Sequence, residues 1–506
     1  VVILFHSTKF HLSLPDLKSI QMKTYTPQDI KKGNILEIEI EDMAFGGKGL
    51  AKLQVGESKI VMFVPNTIPG QVVKARIFKK RKKHLEGKLI EIVSASQDEV
   101  EMKFQAISGA PYLTLPVEKQ REYKQRTTIE QYRRIGKVAK IEELFDTYIE
   151  SPTSFHYRNK MEYAFSTIRY DFEQEETLDD EFALGFKRRG TWWIVENLDK
   201  DSGLFDEEFE NKLKEIRAYL EKTGLPAWHP PKKHGFYRYL TVRKSFANNQ
   251  LLLNLTTSKS GLVHFDKQAF VEFVTSLFEN RVAGILHTIN DSLGERSHND
   301  ENDYEMLFGE NLIQENLLGL SFEVSMQSFF QTNPKSAERL YAKVIDYVME
   351  DTEYSSGDTV MDLFCGTGTI GQLISKKTGV QVVGVDIVSE AIENAKENAK
   401  RNEVETAKWF AADVGKFLTQ YPQYAGKIKT IVLDPPRGGI APKTLVKVTQ
   451  INAQRIVYVS CNPATQSRDI EVLKENGYTM TKISFVDQFP HTAHIEAIAI
   501  FEKTKN

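Results

Sequence analysis

The chain holds two thiols, Cys365 and Cys461, in different settings. Cys461 follows the apolar run Val457-Tyr-Val-Ser460 and precedes Asn462-Pro463. A lone cysteine is ordinarily a small core hydrophobe. Here polar neighbours flank it, and Pro463 interrupts the backbone where a core strand would continue. That setting suits nucleophilic chemistry, in which a thiolate adds to an electron-poor carbon and a base later allows its release. The candidate base is Glu496, in His491-Thr-Ala-His494-Ile-Glu496, a carboxylate leading into the apolar run Ala497-Ile-Ala-Ile-Phe501. An ordinary rim glutamate would look the same. Cys365 lies inside a glycine turn and reads as packing or cofactor-adjacent.

A second constellation is that turn. Asp362-Leu-Phe-Cys-Gly366-Thr-Gly368-Thr-Ile-Gly371 carries G-x-G-x-x-G, which in isolation fits a dinucleotide site equally well. Such glycines let a ligand lie against backbone N–H groups at a helix start. The next strand ends in Gly384-Val-Asp386, a carboxylate in reach of a ribose. Asp362 precedes the glycines, where it can meet a cationic amino-acid group, and Leu433-Asp434-Pro435-Pro436 follows a later strand. This combination resembles the S-adenosylmethionine (SAM) methyltransferase fold. On that resemblance, Asp413 in Phe410-Ala-Ala-Asp413 would sit near the adenine.

The elements that must position these groups read as follows. Strand-like Thr359–Phe364, Val380–Val385, Thr430–Leu433, Arg455–Val459 and Ile495–Phe501 alternate with helices at Ala337–Met349, from Ile370, and at Ser389–Arg401. Such alternation predicts a doubly wound, Rossmann-like α/β sheet over residues 331–506. The carboxyl edge of such a sheet faces the ligand crevice. Residues 96–330 read as a mixed α+β domain. In it, basic and aromatic residues interleave at Phe155-His-Tyr-Arg-Asn-Lys160, Phe186-Lys-Arg-Arg189 and Phe236-Tyr-Arg-Tyr239. These can stack bases and neutralise phosphates, although each taken singly also suits plain sheet surface. Residues 28–95 read as a small OB-like β-barrel of short strands joined by Gly/Pro turns. From Lys31 to Val93 there are 13 Lys/Arg against 7 Asp/Glu, with Lys79-Lys-Arg-Lys-Lys83 the densest run. A basic barrel suits a phosphate backbone, whereas the lysine run alone could be a solubilising loop. Residues 1–27 form an N-terminal extension lacking a signal-peptide pattern, and Met22 is a candidate start.

Composition narrows the class. Of 506 residues 41% are hydrophobic and 27% charged, with a net charge of −3, which excludes collagen-like, coiled-coil and disordered chains. Two thiols cannot build a disulfide framework or a four-cysteine zinc or iron–sulfur site, and they suit a reducing, cytoplasmic compartment. No apolar run reaches membrane-helix length, so neither a metal nor a membrane is expected.

A thiolate paired with a SAM-type pocket fits one reaction well. Carbon 5 of uracil is too weak a nucleophile to take a methyl group unaided. Thiolate addition at carbon 6 creates an enolate with its density at carbon 5, and a base then removes the carbon-5 proton so that the thiolate leaves. At Ser328-Phe-Phe-Gln331-Thr-Asn333, Asp362–Gly368, Asp434-Pro-Pro-Arg437, Ser460-Cys461-Asn-Pro463 and Phe489–Glu496, the chain resembles the uracil-5 RNA methyltransferases that act on 23S ribosomal RNA and transfer RNA. The resemblance covers about 28–506 and implies that the barrel is an RNA-binding TRAM domain, and that part of the RNA-binding middle domain, a short segment ahead of it, packs with the catalytic domain. It implies Cys461 as nucleophile and Glu496 as base, with Gln331, Phe364, Gly366, Asp386, Asp413 and Asp434 around SAM. It further implies a cytoplasmic monomer that makes 5-methyluridine, with 23S ribosomal RNA favoured over transfer RNA as partner. The ribosomal branch often holds an iron–sulfur cluster in its middle region. In this chain Phe104-Gln-Ala-Ile-Ser-Gly-Ala-Pro111 and Leu198 stand where its cysteines would be, so no cluster is expected. Asp386 is also shorter than the family's glutamate, and Thr369 replaces a frequent asparagine. Three alternatives can be weighed. A cytosine-5 methyltransferase would carry a second cysteine near Asp434-Pro-Pro-Arg437, and an amino-group methyltransferase an aromatic residue after the double proline. A non-catalytic RNA-binding protein on this scaffold would have no need for both Cys461 and Glu496.

Overall fold

The computed structural model describes residues 24–171, 174, 176–298 and 303–504. Most of the N-terminal extension, including Met22, lies outside the described residues. The chain divides into two compact units, one ending at Gln97 and the other running from Asp98 and including Phe45–Gly47.

In the first unit seven short strands form one curled sheet, in which Lys48–Val55 pairs antiparallel with Ser58–Pro65 and Val72–Lys80 with His84–Ser94. Strict alternation produces the curl's interior. In Ile35–Glu39, Leu36 and Ile38 are buried while Glu37 and Glu39 face out. The sheet's two end strands, Thr24–Tyr25 and Ile35–Glu39, are tied where Tyr25 Oη donates to Glu37 O (2.8 Å). Gly49 lies so close to Thr67 and Ile40 that a Cβ there would collide with both side chains. Lys79 to Lys83 lie exposed on this unit, in keeping with the run's polarity.

The second unit holds two large sheets. A nine-stranded, mainly antiparallel sheet spans Lys160–Gly309 and buries one face against the helices Glu207–Lys222 and Lys267–Phe278. Asp206 caps the first helix by accepting from Phe209 N–H, and Asp266 caps the second through Ala269 N–H. Phe104–Pro111 is held against the edge of this sheet by polar and apolar contacts together. Gln105 Nε2 donates to Asn197 O (2.6 Å), its Oε1 accepts from Asp199 N–H (2.8 Å), and Leu198 is fully buried beside Ile107 and Ala110. The stretch Phe236–Tyr239, read as basic and aromatic, is buried throughout. Arg238 lies over the Trp228 ring and donates to the carbonyls of Ser292 and Gly294, so it staples a loop.

The other sheet has eight strands in the spatial order Ala407–Ala411, Gln381–Asp386, Thr359–Leu363, Ile428–Leu433, Arg455–Ser460, Glu496–Lys503, Tyr478–Val486, Phe145–Ile149. The first five run parallel, and Glu496–Lys503 alone is antiparallel to its neighbours. Both faces are covered, so the strands are near-continuous apolar runs. Val360, Val382, Val432 and Val457 pack against helices Pro334–Met349 and Thr369–Thr378 on one side. Met361, Val383, Ile431 and Ile456 face helices Pro442–Gln450 and Pro463–Glu475 on the other. Each such side chain contributes about 1.5–3 kcal/mol.

One feature is invisible to local pattern. Helix Val117–Arg134 and strand Phe145–Ile149 precede the nine-stranded sheet in sequence but pack with the eight-stranded one. From the helix, Lys124 Nζ reaches Asp487 Oδ1 (2.7 Å) and Phe489 O (2.9 Å), and Gln120 Oε1 accepts from His491 N–H (2.8 Å). The side chains of Lys124 and Asp487 are 1% and 0% exposed. Removing one partner of such a pair leaves a buried charge unpaired. Lys124→Met would leave Asp487 with Arg121 Nε, 3.8 Å from its other oxygen, and is expected to destabilise the full chain by about 3 kcal/mol. Adding Asp487→Leu should restore most of that loss, as read from the urea unfolding midpoint.

Candidate active site

The carboxyl edge of the eight-stranded sheet gathers almost every residue singled out from sequence. Thr359–Leu363 ends into Phe364 and Gly366, and Gln381–Asp386 ends in Asp386. Asp413 follows Ala407–Ala411, Asp434 follows Ile428–Leu433, and Cys461 follows Arg455–Ser460. Because Ser460 pairs with Ala497, continuing that register by one residue sets Cys461 beside Glu496. Gln331 arrives from outside the sheet. Its Oε1 and Asn333 O accept from Gln488 Nε2 (3.4 and 3.1 Å), just past the end of Tyr478–Val486.

The glycine turn is built as its sequence predicts. Phe364 itself takes a positive φ of 63°, costly for a residue with a Cβ, and Gly366 and Gly368 follow at 52° and 74°. Helix Thr369–Thr378 starts directly after. A Cβ on Gly368 would strike the Trp409 ring and the Ala395 side chain. Asp386 braces the turn, its Oδ2 accepting from Gly366 N–H and its Oδ1 from Val388 N–H (both 2.9 Å). Each oxygen keeps a lone pair for another donor. Cys365 is packing. It lies against Trp409, and burial holds its thiol well above the usual range.

Cys461 occupies a two-residue link. Pro463 does interrupt the strand, and it does so by opening helix Pro463–Glu475. Ser460 Oγ donates to Asn462 O (3.0 Å), and Asn462 Nδ2 donates to Arg437 O (3.2 Å), fixing the thiol between strand and helix.

The electrostatics are set by burial. Glu496 is 2% exposed, and desolvation, then Asp434, push its carboxyl up to about 8. Asp434 is pushed up to about 7 by desolvation. Asp362 rises to about 8 for the same reason, although Gly371 N–H donates to its Oδ2 (2.9 Å). The Cys461 thiol is pushed up to about 12 by burial, then by Glu496 and Asp434, while Arg437 pulls the other way. The free site therefore does not hold a ready thiolate. It holds acids short of positive charge. Asp362 Oδ1 is buried with no hydrogen-bond partner. A ligand bringing an ammonium or sulfonium would relieve that shortage, so these residues fit a cationic amino-acid group.

Tyr341 was not legible in the sequence. It lies on helix Pro334–Met349, 4% exposed, sharing a hydrogen bond with Gln331 and facing Asp434, Glu496 and Asp362, which with burial raise its pKa. An aromatic residue at helical spacing is normally core, so no sequence signal separated it. His491 and His494 are both pushed down to about 4 by burial and are neutral at pH 7.

The buried acids predict a pH dependence. With folded pKa values above the unfolded ones, Glu496 and Asp362 keep a proton in the folded state that the unfolded chain has lost. Their contribution is complete below the unfolded carboxylate pKa and is lost as pH rises to about 8. The ligand-free protein should lose thermal stability across that window. Glu496→Gln should flatten the loss and melt a few degrees above wild type at about pH 8, as measured by calorimetry.

Comparison with known proteins identifies relatives of the chain. The model of the tRNA (uracil-5-)-methyltransferase family matches residues 305–504, and the TRAM domain model matches 30–90. An uncharacterized RNA methyltransferase from Clostridium acetobutylicum is 37% identical over 94% of this chain and 99% of its own length. Another from Caldanaerobacter subterraneus is 35% identical over 94% and 100%. Among solved structures, the Pyrococcus abyssi tRNA (uracil-54, C5)-methyltransferase in complex with S-adenosyl-L-homocysteine superposes with a TM-score of 0.67 at 25% identity. It covers 92% of this chain and 100% of its own. With its glycine turn, its thiol and acid at one sheet edge and a TRAM domain ahead of them, the chain belongs to the tRNA (uracil-5-)-methyltransferase family of RNA methyltransferases.

Proposed function

We propose that the protein methylates carbon 5 of a uridine through a covalent Cys461 adduct, in 23S ribosomal RNA. The observation that carries the mechanism is the strand register that sets Cys461 beside Glu496, with Asp434 close enough to act on both. Transfer RNA is the second reading, favoured by the Pyrococcus abyssi relative, whose substrate is tRNA. No helix among the described residues is long and apolar enough to cross a membrane, and we propose a cytoplasmic site of action.

SAM is the methyl donor, and when bound it supplies an activated methyl group and a positive sulfonium. Gln331, Phe364, Gly366, Asp386, Asp413 and Asp434 would hold it, the acids supplying the negative charge the site already concentrates. Cys461, once deprotonated, adds to carbon 6 of the uracil ring, and the displaced electrons reach carbon 5. Arg437 is the chain's own cation favouring that deprotonation. Methylated carbon 5 still carries its hydrogen. Glu496, ionised, takes that proton as the carbon 6–sulfur bond breaks and its electron pair returns to Cys461.

Four outcomes are expected. A 5-fluorouridine RNA cannot lose its carbon-5 substituent as a proton, so it should trap a stable complex with wild type and none with Cys461→Ala, read on a denaturing gel. Cys461→Ala should also lose more than about 1,000-fold in methyl transfer from labelled SAM. Retention of full activity would remove the thiol from the mechanism. Glu496→Gln should transfer the methyl group yet leave the product RNA bound to protein, so rapid free product counts against its role. Replacing Lys79, Lys80, Lys82 and Lys83 by Ala should weaken RNA binding and flatten its salt dependence, leaving the SAM affinity unchanged.

A further inference from the structure

The nine-stranded sheet has a second face, on which a patch of polar residues lies beside the apolar Leu252 and Leu286. Lys160, Thr241, Asn254 and Thr288 stand there on four successive strands, opposite the face that packs on the helices. Together with Met326, Gln327 and the carboxylate-bearing Asp303 they help line a cavity of about 180 Å³, so a ligand there meets one acceptor group among the donors. Met326 and Gln327 belong to the segment that runs on to Gln331 at the candidate active site. The sheet holds that segment directly: Lys160 Nζ donates to Met326 O (2.9 Å), Arg243 to Ser328 O (2.7 Å), and Asn159 Nδ2 to Gln331 O (3.2 Å).

The lining is rich in donors. Thr241 is 3% exposed and its hydroxyl has no hydrogen-bond partner. Asn254 Oδ1 accepts from Thr288 Oγ1 (3.0 Å), which leaves its NH₂ group to donate. Lys160 gives one proton to Met326 O and keeps others. Burial, and then Arg243, lower its pKa to about 8, while Glu162 pulls the other way. A buried hydroxyl without a partner destabilises a fold. A ligand bearing acceptor oxygens would satisfy it together with the ammonium and the amide.

We propose that this cavity receives a second nucleotide of the RNA, an unstacked uracil or guanine near the methylated uridine, whose carbonyl oxygen accepts from Lys160, Thr241 and Asn254. The inference rests on the RNA-methylation reading above. Proteins that recognise RNA by sequence do so largely on unstacked bases read along their edges. A base held here would anchor the strand a short distance from Gln331, so the cavity would select the RNA while the sheet edge performs the chemistry.

The test uses the full-length protein with the RNA segment that footprinting shows it to protect. Thr241→Val keeps the shape and removes the hydroxyl. It should raise the KM for RNA about five- to tenfold, leave kcat and the KM for SAM within about twofold, and raise the melting temperature, because the orphaned group is gone. A purely structural threonine would give the stability gain alone, and that result would overturn the proposal. Lys160→Met should likewise raise the KM for RNA. Walking an abasic nucleotide along the segment should find one position, other than the methylated uridine, that weakens binding to wild type but adds nothing in Thr241→Val. A scan with no such position, as expected if a phosphate occupied the cavity, would overturn the proposal. Because the scan is read by binding, failure of methyl transfer would be seen separately.

Discussion

Negative charge kept from water, with little positive charge from the chain to meet it, is the condition on which this site depends. Asp362, Asp434 and Glu496 all reach the sheet's carboxyl edge, where desolvation disfavours their ionised forms. Like charges at low dielectric cannot all be carried at once. Arg437 offsets only part of this, and the Cys461 thiol shares the consequence because its own ionisation would add one more negative charge. Reactivity in such an arrangement is conditional. The groups that would ionise in the proposed reaction do so most readily when a cation enters.

The same edge shows why much of the site could be read from sequence. Parallel strands flanked by helices bring their ends together whatever the loops do, so Phe364, Asp386, Asp413, Asp434 and Cys461, each just after an apolar run, had to converge. Helix Ser389–Arg401 has the predicted bounds because its charged and apolar residues alternate cleanly. Strand Tyr478–Val486 was less legible, since Thr, Lys and Ser interrupt its apolar pattern on an irregularly paired stretch. Tyr341 could not be told from a packing residue. The thiol's raised pKa was hidden for a different reason: its burial follows from tertiary packing, and only the pairing of strands brings the acid Glu496 to it. Burial, likewise, decided the fate of Phe236–Tyr239, whose aromatic and basic residues turned inward to hold a loop.

Function in this chain is divided between two sheets of different character. The eight-stranded sheet is sealed on both faces and offers only its edge, which suits a rigid platform for reacting groups. The nine-stranded sheet seals one face and carries a polar patch on the other beneath a segment that ends at Gln331. Asn159 ties that segment to the sheet, bonding both Gln331 O and Thr332 O.

The strap formed by Val117–Arg134 and Phe145–Ile149 has a consequence for how the molecule is made. These residues leave the ribosome long before Tyr478–Val486, the strand that Phe145–Ile149 completes, and before Asp487, the counter-ion of Lys124. Throughout the synthesis of the intervening chain, an edge-forming strand and a helix with an unneutralised ammonium must wait beside a sheet that does not yet exist. Loop closure over so long a stretch is slow, and unpaired strand edges invite association with other chains. Completion of this sheet thus waits for the final strands, while the first unit and the nine-stranded sheet need none of them.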